Sequence, residues 1–137
     1  PLRKIASGGE ISRIMLALKH QLAKVDSTPV LVFDEIDANI GGRMGEIIGE
    51  KLCSIASSRQ VICITHLPQI ASYADEQWKV NKVVKNGKTY STVEHLSGET
   101  RLEEIADMIR GNEKTDITRK QAEEMLRDAK RKAKNKG

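Results

Sequence analysis

Apolar positions fall along the chain in blocks whose spacing changes from one to the next. Over residues 7–25, Ile11, Ile14, Met15, Leu18, Leu22 and Val25 recur every three or four residues, the mark of an amphipathic helix. Val30-Leu31-Val32-Phe33 follows Thr28-Pro29 as an unbroken apolar run, which reads as a short strand buried on both faces. Helical spacing returns over about 43–57, with Ile47, Ile48, Leu52 and Ile55 on the inner face. Val61-Ile62-Cys63-Ile64-Thr65 is a second fully apolar strand ending at His66, and Leu67-Pro68-Gln69-Ile70 opens a short helix to about Ala74. Residues 77–84 and 89–96 alternate, and the Asn86-Gly87 between them is the strongest short hairpin signal. A helix with Leu102, Ile105, Ala106 and Ile109 on one face ends at Gly111. The last helix, roughly 116–134, has Ile117, Met125 and Leu126 as its sizeable apolar residues.

Strand, helix, strand in that order predicts an α/β fold with a right-handed crossover and a parallel pair. That pairing brings Asp34, Glu35 and His66 to one edge of the sheet, where open α/β sheets bind ligands. The first strand ends in three acids within four residues, Asp34-Glu35-Ile36-Asp37. Burying carboxylates is costly unless a cation compensates them. The pattern points to a magnesium-nucleotide site, with Asp34 near the metal and Glu35 beside the chemistry; the plainer alternative is an acidic loop. Ser7-Gly8-Gly9-Glu10 starts the first helix and leaves backbone N–H groups open at the positive end of its dipole, where a phosphate can sit. The same four residues also suit a plain serine N-cap. His66 is placed for a phosphate contact, whereas His20 and His95 read as surface or packing residues. Gly87-Lys88-Thr89 is not a phosphate loop, because Lys82 occupies the position of its first glycine and no helix follows.

Composition refines this picture in three places. The 137 residues make one domain's worth of chain with only four aromatics, so the core must come from Ile, Leu, Val, Met and Ala. Cys53 and Cys63 read as small buried hydrophobes in a reducing compartment. No apolar run reaches membrane-spanning length, no signal peptide is visible, and the start at Pro1 suggests a piece of something longer. The net charge of +4 is concentrated at one end: residues 127–137 hold six Lys/Arg and one Asp, +5, and residues 1–126 carry −1. That end reads as a solvated, fraying tail, with non-specific DNA contact as its alternative.

In order and spacing, Ser7-Gly8-Gly9-Glu10, Val30-Leu31-Val32-Phe33-Asp34-Glu35, Asp37 and Thr65-His66 resemble the motifs of ABC-type ATPase heads. Ile40-Gly41-Gly42-Arg43 and Thr65-His66-Leu67-Pro68-Gln69 look closest to the SMC-like ATPases of bacterial double-strand-break repair. Glu10 stands where transporters carry glutamine, and Ala6 where many such motifs carry leucine. The resemblance implies the carboxyl-terminal lobe of a split ABC/SMC-type P-loop NTPase head over residues 1–111, followed by a charged helix and basic tail over 112–137 that adds nothing to it. It also implies roles. Ser7, Gly8, Gly9 and Glu10 would form the signature motif on the nucleotide, Asp34 would hold Mg²⁺ through water, and Glu35 would act as general base. His66 would sense the γ-phosphate, and Asp37 would couple two heads. The implied cofactors are ATP and Mg²⁺. The implied partners are an N-terminal lobe bearing the Walker A loop, a second head and DNA, in the bacterial cytoplasm and with no membrane. Because no Walker A loop occurs in the 137 residues, the chain alone is expected to be inactive. Another SMC-like head, or a non-catalytic DNA- or partner-binding module, stays open as an alternative.

Overall fold

The computed structural model describes residues 7–22, 27–110 and 115–134; Ala6, Val25, Gly111 and Lys136 lie outside them. Helix α1 (Gly8–Gln21) precedes strand β1 (Val30–Phe33), helix α2 (Gly42–Ala56), strand β2 (Gln60–Cys63) and the short helix α3 (Pro68–Ala71). Strands β3 (Gln77–Lys85) and β4 (Lys88–Leu96) follow, then helices α4 (Gly98–Arg110) and α5 (Asp116–Lys134). β1 and β2 pair in parallel, Val30 opposite Gln60 and Phe33 opposite Cys63, as a two-stranded sheet. β3 and β4 form a separate antiparallel hairpin turned at Asn86-Gly87, both at positive φ. The expected α/β class, parallel pair, hairpin and C-terminal helices are all present.

Two clusters hold these elements together. Leu31 and Phe33 of β1 pack with Leu16 of α1, Ile48, Leu52 and Ile55 of α2, Ile70 of α3, and Ile36 from the loop after β1. Ala71, Ile105 and Ala122 centre the second cluster, where α3, α4 and α5 meet. Arg101 of α4 ties α3 down by donating from Nη2 to the carbonyls of Ala71, Ser72 and Ala74 at 3.3, 3.4 and 2.6 Å. Those bonds satisfy carbonyls at the end of α3, which stops at Ala71 rather than near Ala74.

Burial departs from the sequence pattern in a consistent way. β1 is buried on one face only: Val32 is 64% exposed, and Ile62 and Ile64 on or beside β2 are exposed as well. Helices α1, α2 and α3 pack on the side of Leu31 and Phe33, and among the described residues the other face stays exposed. In α1 the predicted apolar stripe, Ile11, Ile14, Met15, Leu18 and Leu22, points away from the body, and the helix buries Gly9 and Leu16 instead. Ile47 of α2 is likewise exposed. The basic end differs too. α5 stays helical to Lys134, buries Ala129, and pairs Lys132 with Glu46 and Glu50 of α2, so within the described residues it is a packed helix end and not a fraying tail.

Candidate functional site

The sequence folds α1 onto the acidic loop through a polar face, not an apolar one. Gly9, Ser12, Arg13 and Leu16 recur at helical spacing on the side opposite the exposed stripe. Ser12 Oγ donates to the Asp34 carbonyl at 2.8 Å, and Arg13 Nη1 donates to the carbonyls of Ile36 and Ala38 at 3.2 and 3.0 Å. Glycine is required at position 9, where α1 meets backbone, whereas at position 8 the neighbour is the movable end of the Glu35 side chain. A Cβ on Gly8 would lie 2.5 Å from Glu35 Oε2, and one on Gly9 would lie 2.7 Å from the Glu35 carbonyl oxygen and 2.8 Å from Ala38 Cβ. The Ser-Gly-Gly turn therefore abuts Glu35 within one chain. Ser7 caps the helix in a capping box: its Oγ accepts from the Glu10 N–H at 3.4 Å, and the Glu10 carboxylate accepts from the Ser7 N–H at 2.9 Å. The Ser7 hydroxyl proton is still available for donation to an anion.

Asp34 and Glu35 stand exposed at the end of β1. Asp34 Oδ1 accepts from the Glu35 N–H at 2.9 Å, and Glu35 adopts φ +55°, a left-handed conformation that is uncommon for a side chain of this size. Asp37 behaves differently. It is 4% exposed, and its Oδ2 accepts from the Thr65 hydroxyl at 2.6 Å and the His66 N–H at 2.7 Å, with His66 Nδ1 at 2.9 Å. Burial alone would raise this carboxyl, but the Thr65 hydroxyl, the His66 N–H and the His66 ring outweigh it and hold Asp37 below the usual carboxylate range. Burial, reinforced by Asp37 and Asp34, pushes the Cys63 thiol up to about 12, which leaves it an unreactive packing group at neutral pH.

Among the described residues no group of three or more His, Cys, Asp or Glu converges as a metal cage. One exposed carboxylate at a strand end is nonetheless a donor set that suits Mg²⁺, which keeps several waters and takes its other oxygens from phosphates. A cleft of about 710 Å³ lies elsewhere, lined by residues such as Arg43, Gln69, Tyr73, Met108 and Met125, and none of the predicted site residues faces it. Arg13, Ser12 and the bond of Thr65 to Asp37 were missed by pattern reading. The one available signal was the recurrence of small and polar residues at helical spacing opposite the apolar stripe.

These features define a class. The chain has the fold of an SMC-type ATPase head lobe. It matches a solved structure from structural biochemistry of ATP-driven dimerization and DNA-stimulated activation of SMC ATPases, with TM-score 0.55 and 25% identity over 81% of this chain and 66% of that one. Within that class it is homologous to the DNA repair protein RecN. It is 42% identical to the Bacillus subtilis protein over 128 residues and 50% identical to that of Deinococcus radiodurans over 112, or 93% and 82% of this chain. The Mycobacterium leprae protein matches at 45% over 135 residues, 98% of this chain. That match necessarily enters the basic end, so the likeness is not confined to residues 1–111. The chain spans about a fifth of the length of these relatives, 22%, 20% and 22%. No family model matches it. No helix among the described residues is long and apolar enough to cross a membrane.

Proposed function

We propose that the chain is the carboxyl-terminal part of an ATP-hydrolysing, RecN-like DNA repair protein of the bacterial cytoplasm, supplying signature and Walker B residues to an ATP sandwich between two heads. The observation that supports this most is the pairing of β1 and β2 in parallel, which brings the acidic loop after β1 and His66, bound to Asp37, to one sheet edge. The N-terminal lobe would bring the Walker A loop, and DNA would be the macromolecule acted on.

In this reading each residue has a physical task. The Ser7 hydroxyl and the N–H groups of Gly8 and Gly9 donate to the γ-phosphate of the nucleotide held by the other head, where the helix dipole adds favourable potential. Asp34 would hold Mg²⁺ through water, and the ion when bound would offset charge on the phosphates. Glu35 orients and deprotonates the attacking water, a role worth roughly 10²–10⁴-fold. His66 meets the γ-phosphate, Glu10 braces the signature turn, and the loop bearing Asp37 lies where two heads would be coupled. Phosphoryl transfer depends on positioning and electrostatics, so half a site should not turn over.

The deciding experiment uses the full-length parent. Glu35→Gln should abolish hydrolysis while nucleotide binding and ATP-dependent head dimerisation persist, because the amide keeps the shape and loses the basicity. Hydrolysis at the parental rate would remove Glu35 from the chemistry.

A further inference from the structure

The loop after β1 carries a carboxylate that is occupied inside its own chain. Asp37 is 4% exposed, while the His66 side chain beside it is 74% exposed. One oxygen of Asp37, Oδ2, meets the Thr65 hydroxyl, the His66 N–H and His66 Nδ1 at 2.6, 2.7 and 2.9 Å. Thr65 Oγ1 in turn accepts from the Leu67 N–H at 3.1 Å, so the strand-to-helix turn carrying His66 is fixed on both sides of the ring. A buried carboxylate with this many donors has little freedom to reach across to a second molecule. An imidazole bonded through Nδ1 to an anion carries its proton there, and the second nitrogen is then set as the bare one.

We propose that Asp37 is the positioning residue of His66, acting within one chain: it holds the ring in the Nδ1–H tautomer and turns Nε2 outward to the phosphate end of the site. The tautomer has a chemical consequence. A bare Nε2 takes up a proton from solvent as the phosphate anion arrives, and the imidazolium so formed donates Nε2–H to an anionic phosphoryl oxygen while Asp37 balances the charge from behind, the division of labour seen in hydrolytic Asp-His pairs. The pair thus gives His66 a proton-accepting state before the nucleotide is engaged and a donating state after it. This last step rests on the nucleotide reading; the tautomer does not.

The two parts are tested separately. Histidine ring ¹⁵N spectra of the 137-residue chain, at a pH where the rings are neutral, report which nitrogen carries the proton, and loss of one signal in His66→Gln assigns His66 among the three histidines. The expected result is a protonated Nδ1 in the parent chain and in Thr65→Val, which keeps the Asp37 contact. Asp37→Ala should lose that preference. A bare Nδ1 in the parent chain overturns the proposal outright, whether or not Asp37→Ala folds, and an unchanged tautomer in a folded Asp37→Ala does the same. In the full-length parent, Asp37→Ala should lower kcat by up to about a hundredfold, the scale of a misplaced catalytic group, with ATP-dependent dimerisation intact. Loss of dimerisation with the His66 tautomer preserved would return Asp37 to a coupling role between heads. A parent without ATPase activity would sink the nucleotide reading and leave the ring measurement standing.

Discussion

Glu35, the residue proposed to activate water, carries backbone strain. Its φ of +55° puts an L side chain in the left-handed region, at a cost of about 1–2 kcal/mol that glycine would not incur. Glu35→Gly should therefore be more stable than Glu35→Ala by about 1 kcal/mol in urea unfolding, the reverse of their order in ordinary backbone. Equal stabilities would mean that the conformation carries no strain. Asp37 contributes a pH dependence of its own. Its folded pKa lies below the ordinary carboxylate value of 3.8, so its contribution to stability is complete above that value. The contribution is lost as pH falls through the depressed folded value. Asp37→Asn, which keeps an acceptor but cannot ionise, should be less stable than the parent at neutral pH, and the gap should close on the acid side; a gap independent of pH would assign the effect to packing. The acids at the end of β1 and His66 at the end of the second strand were legible because polar residues ending apolar runs stand out. The contacts of Arg13 and the bond of Thr65 to Asp37 were not, since the partners are loop carbonyls and a carboxylate more than twenty residues away.

Among the elements, the hairpin and α5 could be placed closely from sequence, because each is set by local chemistry. The Asn86-Gly87 turn fixes the register of β3 on β4, and α5 runs from Asp116 to Lys134 as its pattern indicates. α1 shows where such reading stops. Periodicity shows that a helix has an apolar side but not what covers it, and this helix docks through Gly9, Ser12, Arg13 and Leu16 with its apolar side outward. The same limit explains why the faces of β1 and β2 bearing Val32 and Ile62 were wrongly expected to be buried. α5 is held to α2 at its far end by Lys132, which lies between Glu46 and Glu50, and its ammonium pKa is raised chiefly by the Glu46 hydrogen bond, partly offset by desolvation. The Lys132 side chain is 37% exposed, so water screens the bridge. Lys132→Ala should cost no more than about 1 kcal/mol in dilute buffer, with most of that loss gone in about 1 M salt, where the screening length is roughly 3 Å. A larger, salt-independent loss would show that the aliphatic stem of Lys132, not its charge, holds α5 in place.

At the level of the whole molecule, charge and packing have to be read together. Counted along the sequence, the last eleven residues offer six basic groups to a nucleic acid, yet the fold has already engaged some of them. Lys132 is bound to Glu46 and Glu50, and Arg131 pairs with Asp128 at 3.3 Å. Arg127, Lys130 and Lys134 are exposed and recur at i, i+3 and i+7, so they form one stripe along the outer side of α5, about 10 Å from end to end. With Lys136 beyond the described helix, three or four phosphate contacts are within reach in place of six. Binding to duplex DNA should then be weak and indifferent to sequence, with a slope of log affinity against log salt of roughly −3, near −0.9 per contact. Removing residues 127–137 would be a poor test, because it would also remove the buried Ala129 and the Lys132 bridge. Reversing charge at the three exposed positions, Arg127→Glu, Lys130→Glu and Lys134→Glu together, leaves both in place. Fluorescence anisotropy over a salt series should show the slope collapse in this variant while the circular dichroism of the chain is unchanged. If the variant binds DNA as tightly as the parent, with the same slope, the contact surface lies on the near-neutral body and not on α5.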